Sequence, residues 1–259
     1  MKRYTIRVEY VGKNYAGSQL QAGQISPVTI QFELEKALST LIGDAEKETK
    51  GIKNKKKRIK TVFSGRTDKG VSSKGQIAQF ESEKTLVASK FIHSMNEILP
   101  QDISISDLKE VSTDFHAQKS AKKRHYQYVF YNKKQRSAFD AGLLLIKWDL
   151  DIQRMQKSLE YLLGEHDFSS FRNSGSSTLN RICLIYKVEC KKLGDTVVID
   201  IVGNRFLYNM VRAIVGTLLL IERKDFPPEK MKEILEAKDR AQAGKTVNPL
   251  GLTLMKVEY

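Results

Sequence analysis

The sequence has little cysteine and no long apolar run. Its only two cysteines among 259 residues, Cys183 and Cys190, have six residues between them. They form no CxxC motif and no histidine pair lies near them, so we expect two reduced thiols on one face of a strand rather than a zinc site. No stretch approaches the roughly 18 apolar residues of a membrane-spanning helix, and the N-terminus has no signal-peptide core. These features predict a cytoplasmic protein without a membrane anchor.

Acidic residues are missing from two segments. Residues 50–60 and residues 119–136 each carry seven basic residues and no acid, within a chain of net charge +14. The rest of the chain is therefore neutral on balance. Concentrated positive charge favours a polyanion partner, because neutralising phosphates releases counterions. For residues 50–60, a solvated loop without a partner is an equal alternative.

The hydropathy pattern predicts an α+β fold. Tyr4, Ile6, Val8 and Tyr10 alternate with polar residues as in a strand, and residues 29–41 have helical spacing. Each half of the chain combines strands, often as hairpins, with about two long helices. We expect two similar sheet-plus-helix halves joined into an extended, mainly antiparallel sheet with helices on one face. The predicted domains are residues 1–110 and 111–259.

Two charged residues occupy unusual positions. Asp68 lies in a polar turn between Gly65 and Gly70, which can present a carboxylate to a cleft; the alternative is an ordinary turn aspartate. Arg212 is the only charge between Phe206 and Ile221, in a helix that is apolar on nearly every side and hence buried. A buried guanidinium requires an acidic partner or a polar cleft. The alternatives are that Arg212 reaches the surface or pairs structurally with a residue such as Asp200.

A third pattern combines aromatic and basic residues. Tyr126, Tyr128 and Phe130 alternate along a predicted strand, directly after the basic residues Lys122, Lys123 and Arg124. Unstacked bases can lie on aromatic rings while basic side chains hold phosphates, a combination that suits RNA better than duplex DNA. Alternatively the rings face the core, and Phe130 is the first candidate for that position.

Several segments together resemble one enzyme family. They are SGRTDKGV (64–71), FHA (115–117) leading to RHYQY (124–128), GEHDFSSF (164–171), NMVRAIVG (209–216) and the closing GLTL (251–254) with VEY (257–259). In this order they resemble the TruA-type tRNA pseudouridine synthases and span most of the chain. The resemblance implies that Asp68 is the catalytic aspartate and that Arg212 is its basic partner. It further implies that Tyr126 packs against the target base, that Leu252 lines the pocket, and that Arg66 helps to hold the flipped nucleotide.

The resemblance also implies the reaction and its partners. Members of the family isomerise uridine to pseudouridine in tRNA, around positions 38–40 of the anticodon stem-loop. They are homodimers that use neither cofactor nor metal. No atoms enter or leave in this isomerisation, which agrees with the absence of a cofactor. The alternatives are a catalytically silent RNA-binding module and a relative acting on another RNA.

The chain departs from the family pattern directly after Val71 and near the start of the sequence. Ser72 stands where the family usually has histidine, and Ser18 replaces the tryptophan of a Gly-Trp-Gln motif. We expect these departures to affect the choice of RNA more than the chemistry. We interpret the pair His166 and Asp167 as a structural loop after a helix rather than as a second catalytic dyad.

Overall fold

The computed structural model describes residues 1–19, 28–43, 58–140, 142–173 and 179–259. The chain forms two compact units, residues 1–121 with Tyr259 and residues 122–258. The predicted boundary between residues 110 and 111 falls inside the first unit. The segment after residue 110 is tied to the first unit, because Arg3 donates to the carbonyls of Thr113 and Phe115.

The first unit contains an antiparallel sheet. Its strands are β1 (Lys2–Tyr10), β2 (Val62–Phe63), β3 (Ser72–Ser82) and β4 (Ile103–Val111). β1 lies between β4 and β3, and β2 pairs with β3. The alternating residues Tyr4, Ile6, Val8 and Tyr10 are all buried, so the predicted buried face of β1 is confirmed.

Two helices complete the core of this unit, α1 (Ile30–Ile42) and α2 (Ala88–Ile98). Thr29 caps α1 by accepting a hydrogen bond from the Phe32 N–H at 3.2 Å. Leu34 and Leu38 of α1 belong to the same buried cluster as Phe91 of α2 and the buried side chains of β1. The predicted helix over residues 29–41 is confirmed.

The second unit also contains a mainly antiparallel sheet. Its strands are β5 (Lys123–Asn132), β6 (Leu145–Ile146), β7 (Gly164–Asp167), β8 (Ile182–Leu193), β9 (Thr196–Gly203) and β10 (Leu252–Glu258). The order across the sheet is β10, β5, β9, β8, β7, and the short β6 runs parallel to β5. β8 and β9 form the predicted hairpin, with Gly194 at φ 58° in its turn.

The helices of this unit are α3 (Ile152–Glu160), α4 (Met210–Arg223) and α5 (Lys230–Ala237). Most residues of α4 are buried, as its apolar sequence predicts. The helix begins at Met210 rather than at Leu207, because Asn209 adopts the left-handed conformation with φ 61°. Helices against antiparallel strands confirm the α+β class. Within the described ranges, no helix has the length and apolar character needed to cross a bilayer.

The segment with His166 and Asp167 corrects one prediction. We expect a loop there, but both residues belong to β7, where His166 is paired with Cys183 of β8. The strand has only four residues, Gly164–Asp167, and they show no alternation of apolar and polar side chains. Its pairing with β8 defines it as a strand, and this pairing is not visible in the local sequence. Both side chains bind locally, His166 Nε2 to the Leu163 carbonyl at 2.7 Å and Asp167 Oδ1 to the Ser169 N–H at 2.9 Å.

The two cysteines lie in β8, and both are buried and reduced. Residues seven apart in a regular strand face opposite sides of a sheet. The pairing of β8 with β9 shifts between Ile185 and Lys187. This bulge adds one residue to the strand, so that residues seven apart across it face the same side of the sheet. Cys183 and Cys190 are therefore buried with Ile185 and Val188, as predicted for one strand face.

Candidate active site

Asp68 lies in the turn between β2 and β3. The Gly65 carbonyl at the start of this turn accepts a hydrogen bond from Gln76 Nε2 at 2.8 Å. Gly70 at its end has φ 82°, a conformation that favours glycine. Asp68 is half-buried and Arg66 is exposed. The turn thus has a fixed backbone and places both residues where a ligand can reach them.

Thr67, the neighbour of Asp68, is held at three points by the chain around the end of β1. Its Oγ1 lies 2.8 Å from the Tyr10 hydroxyl, and its N–H donates to Ser18 Oγ at 2.8 Å. Its carbonyl accepts from the Ser18 N–H at 3.1 Å. All three residues are buried, and burial raises the pKa of Tyr10 to about 12. Tyr10 is therefore a neutral hydrogen-bonding group that fixes the backbone beside Asp68.

The two departures from the family pattern lie against this turn. Ser18 accepts the Thr67 N–H, and Ser72 Oγ accepts the Gly12 N–H at 3.1 Å. A Cβ on Gly12 would lie 2.0 Å from the Val71 carbonyl oxygen, so the two segments touch backbone to backbone. Both serines thus help to hold the turn that carries Asp68, a role that the sequence analysis did not assign to them.

Tyr126 lies in β5 of the second unit, opposite Ile201 of β9 and Leu254 of β10. Its ring packs edge-on against Phe206, with 5.1 Å between the ring centroids and an interplanar angle of 81°. Tyr126 is half-buried, whereas Tyr128 and Phe130 on the same strand face are fully buried. The prediction that Phe130 faces the core is confirmed, and Tyr128 does so as well.

Arg212 lies in the first turn of α4. Its Nε donates to the Val247 carbonyl at 2.8 Å, and its Nη1 donates to Asn209 Oδ1 at 2.6 Å. Asp200, the suggested structural partner, has its Oδ1 2.6 Å from His125 Nε2. Asn209 thus has two roles, because its left-handed backbone sets the start of α4 and its side chain orients the guanidinium.

Leu252 is buried at the start of β10, directly opposite Tyr128. The Tyr128 hydroxyl donates to the Asn248 carbonyl at 2.8 Å, next to the carbonyl that Arg212 binds. Burial raises the pKa of Tyr128, and the nearby Arg212 guanidinium partly opposes this rise. A Cβ at Gly251 would lie 2.4 Å from the Val129 carbonyl oxygen. Leu252 is therefore fixed by close backbone packing.

The segment before Leu252 crosses α4 at very short range. A Cβ at Gly216 would lie 1.8 Å from the Lys245 carbonyl oxygen, and one at Gly244 would lie 2.2 Å from the Gly216 carbonyl oxygen. The Gly244 N–H donates to Thr217 Oγ1 at 2.9 Å. Two glycines thus allow the backbone of this segment to lie directly on the helix that carries Arg212.

The basic residues before Tyr126 have different surroundings. Lys122 is exposed, Lys123 Nζ lies 5.0 Å from the centre of the Tyr186 ring, and Arg124 Nη1 donates to the Asn204 carbonyl at 2.6 Å. Arg124 also fixes the turn after β9.

In the second unit Leu252 lies opposite Tyr128, whose hydroxyl binds the carbonyl next to the one that Arg212 binds, and Tyr126 lies two residues before Tyr128 on β5. In the first unit the structure places Arg66 and Asp68 in one turn. The roles of Phe206, Asn209 and Ser18 in these surroundings were not predicted from the sequence. The aromatic Phe206 just before an apolar helix was a visible signal, and Ser18 stood out only as a departure from the family motif, without an assigned contact.

The comparisons with known proteins are decisive at the level of the family. The chain is 40% identical over 260 residues to tRNA pseudouridine synthase A of Caldicellulosiruptor saccharolyticus, covering all of both chains. It is 38% identical to the protein of that name from Colwellia psychrerythraea, covering 99% of this chain and 93% of that one. The chain belongs to the TruA-type tRNA pseudouridine synthase family. The predicted resemblance is confirmed.

Of the two family profiles that match the chain, one agrees with this assignment. A profile described as tRNA pseudouridine synthase matches residues 159–259. A second, described as an uncharacterized protein conserved in bacteria, matches residues 31–207. Among solved structures, a Cbf5–Nop10–Gar1 complex aligns with a TM-score of 0.39 and 11% identity, over 83% of this chain and 44% of that chain. That similarity is too distant to support an inference, whereas the TruA-type relatives match along the whole chain.

Proposed function

We propose that this protein is a tRNA pseudouridine synthase with Asp68 as its nucleophile. The full-length similarity to tRNA pseudouridine synthase A carries the assignment of the reaction. In the reaction the N1–C1′ bond of uridine breaks, the uracil rotates, and C5 bonds to C1′. C5 loses a proton and N1 gains one, so the atoms balance without a co-reactant.

The residue roles follow the chemistry of that reaction. An ionised carboxylate at Asp68 attacks C1′ or the uracil ring, and the bond that it forms breaks again before the product leaves, which regenerates the carboxylate. The arginine that the family pairs with it, Arg212, favours the ionised form. The ring of Tyr126, oriented by Phe206, stacks on the uracil. Leu252 supplies an apolar wall. These roles are supported by the fixed turn around Asp68 and by the hydrogen bonds that orient Arg212.

The target base must leave its stack before it reacts, at a cost of about a few kcal/mol. We assign Arg66, exposed beside Asp68, to holding the displaced nucleotide. Lys122, Lys123 and Arg124 contribute positive charge for the RNA backbone. By family resemblance we also propose a cytoplasmic homodimer, free of cofactor and metal, that modifies positions 38–40. Sedimentation tests the dimer against the chain mass of 29.5 kDa.

The decisive experiment combines one variant with position mapping. Unmodified tRNAs are treated with wild-type protein and with Asp68→Asn, and pseudouridine is mapped at each position. We expect modification at positions 38–40 by the wild type, none by the variant, and RNA affinity within a few fold. Asp114→Asn, an exposed carboxylate of the same unit, is the matched control and keeps full turnover.

The outcomes separate the alternatives. Turnover by Asp68→Asn near the wild-type rate would remove the nucleophile assignment. RNA binding by the wild type without any pseudouridine would indicate a silent binding module. Pseudouridine at other positions, or only in another RNA, would keep the chemistry and change the substrate.

A further inference from the structure

A strongly basic pocket lies in the second unit beside the start of α4. It has a volume of about 860 Å³. Among the residues that the structure describes, five basic side chains and one carboxylate, Asp239, line it. That carboxylate already accepts the Ala241 N–H at 2.9 Å, capping a short turn. The pocket therefore has a large excess of positive charge.

Arg240 shows how this charge is held. Its guanidinium donates to Asn173 Oδ1 at 2.9 Å, to the Gly244 carbonyl at 2.9 Å and to Thr246 Oγ1 at 3.0 Å. Within the described part of the chain these acceptors are all neutral, and burial lowers the pKa of Arg240. Neutral acceptors orient the guanidinium without cancelling its charge, which favours an anion in the adjoining space.

The other basic groups are less constrained. Arg181 is exposed and donates to Ser169 Oγ at 3.3 Å. Lys238 Nζ lies 4.0 Å from Asp167 Oδ2, and Lys245 is exposed. These three side chains can move toward a ligand while Arg240 stays fixed. That combination suits a flexible, multiply charged chain better than a single small ion.

The pocket adjoins the surroundings of Arg212. Asn209 lines it and accepts a hydrogen bond from Arg212 Nη1 at 2.6 Å. Thr246 also lines it, next to the Val247 carbonyl that accepts from Arg212 Nε. Tyr208, at the rim, is 46% exposed, so its ring is available for stacking. An anion in the pocket would lie close to the arginine assigned to the reaction.

We propose that this pocket binds the phosphodiester backbone of the RNA strand that carries the target uridine, with Tyr208 stacking on a neighbouring base. The proposal rests on the proposed function, because it assumes an RNA substrate. Arg181, Lys238 and Lys245 neutralise phosphates, and Arg240 supplies the fixed positive centre. The pocket thereby sets the path of the strand next to Arg212.

The first experiment compares two double variants of equal charge. Arg181→Gln with Lys245→Gln removes two charges from the pocket. Lys147→Gln with Lys157→Gln removes two from exposed lysines that do not line it. Binding of unmodified tRNA is measured from 50 to 300 mM salt. We expect the pocket variant to bind about tenfold more weakly near 0.1 M salt, with a salt slope smaller by roughly 1.5. The control should stay within twofold.

Stacking is tested separately with Tyr208. We expect Tyr208→Ala to weaken RNA binding by about five- to tenfold and Tyr208→Phe to retain it, because the phenyl ring still stacks. Inorganic phosphate, compared with chloride at equal ionic strength, should compete with RNA for the wild type and not for the pocket double variant. Arg240 is left unchanged, since its four hydrogen bonds also hold the local fold. Thermal melting checks that every variant is folded.

Three outcomes would overturn the proposal: equal binding losses in the two double variants, no loss in either, or phosphate binding at the pocket without any effect on RNA affinity. All measurements use binding, so they do not depend on turnover. If Asp68→Asn retains activity while the pocket variant loses affinity, the nucleophile assignment fails and the pocket stands. If Asp68→Asn is inactive and the pocket variant binds RNA normally, the pocket proposal fails and the nucleophile assignment stands.

Discussion

The hydroxyl of Tyr10, at the end of β1, lies 2.8 Å from the hydroxyl of Thr67, the residue before Asp68. Both groups are buried, and Ser18 holds the backbone of Thr67 from the same side. The position of the proposed nucleophile therefore depends on the chain around β1, well before the turn in sequence. Because this support is built from hydrogen bonds, single atoms can be removed to test it.

We predict that Ser18→Ala slows pseudouridine formation by at least tenfold. The change removes the acceptor of the buried Thr67 N–H, so the turn can shift while Asp68 itself is unchanged. Loss of that hydrogen bond should lower the free energy of unfolding by about 1–2 kcal/mol. Single-turnover rates and urea denaturation measure the two effects.

Ser82→Ala is the matched control for this prediction. Ser82 is also buried in the first unit, and its Oγ accepts the Lys84 N–H at 3.0 Å. The control should lose a similar amount of stability and keep its turnover rate. If the two variants turn over uridine equally fast, Ser18 is structural only.

In the first basic segment, residues 50–60, we expect the lysines of residues 50–57 to bind RNA and Arg58 to stabilise the fold. Residues 50–57 lie outside the described residues, whereas Arg58 Nε donates to Glu35 Oε2 at 2.8 Å. The Glu35 side chain is 3% exposed. We predict that Arg58→Gln lowers the free energy of unfolding by about 1 kcal/mol, a value reduced because the Arg58 side chain is half-exposed.

Replacing the five lysines within residues 50–57 by glutamine should instead weaken tRNA binding and leave stability unchanged. Urea denaturation and binding at two salt concentrations, measured on both variants, separate the roles. Unchanged affinity in the five-lysine variant would support the alternative of a solvated loop without a partner.

We predict that the two buried thiols make the folded protein less stable at alkaline pH. Burial raises the pKa of Cys183 to about 11 and that of Cys190 to about 12, from an ordinary value of 9. As pH rises, the thiols of the unfolded chain therefore lose their protons before those of the folded protein. The contribution of the two buried thiols to the free energy of unfolding is fully present below pH 9 and is lost as pH rises from 9 to 12.

The Cys183→Ala/Cys190→Ala variant should show a shallower decline of unfolding free energy between pH 8 and pH 10.5 than the wild type. Tyr10 and the other titrating groups are common to both proteins, so the difference reports the thiols. Urea denaturation at four pH values measures it. Parallel pH profiles would show that the thiols ionise equally readily in the folded protein.

Sequence reasoning predicted elements whose signal is local. The alternation of Tyr4, Ile6, Val8 and Tyr10 identified β1, and the apolar stretch around Arg212 identified α4. It failed for His166 and Asp167, because β7 exists only through its pairing with β8. It also set the start of α4 too early, since the positive φ of Asn209 is not visible in an apolar pattern.

In the candidate site, too, the sequence predicted residues with a local signal and not those whose role depends on a distant contact. Asp68 and Arg212 stood out from their surroundings in the sequence, and the family resemblance gave them roles. Ser18 stood out only as a departure from the family motif, and its role could not be found in this way, because that role is a contact with Thr67, 49 residues further along the chain. Asn209 was equally hidden, since orienting Arg212 depends on an unusual backbone conformation.

The crossing at Gly216 and Gly244 determines what can change around the basic pocket. Any side chain at either glycine would overlap a backbone atom of the facing segment. The side chain of Lys245, by contrast, is exposed. The side chain at position 245 can therefore change while the backbone that carries it stays in place. If the pocket binds RNA as proposed, substitutions at this position would alter the preference among RNAs without changing the fold.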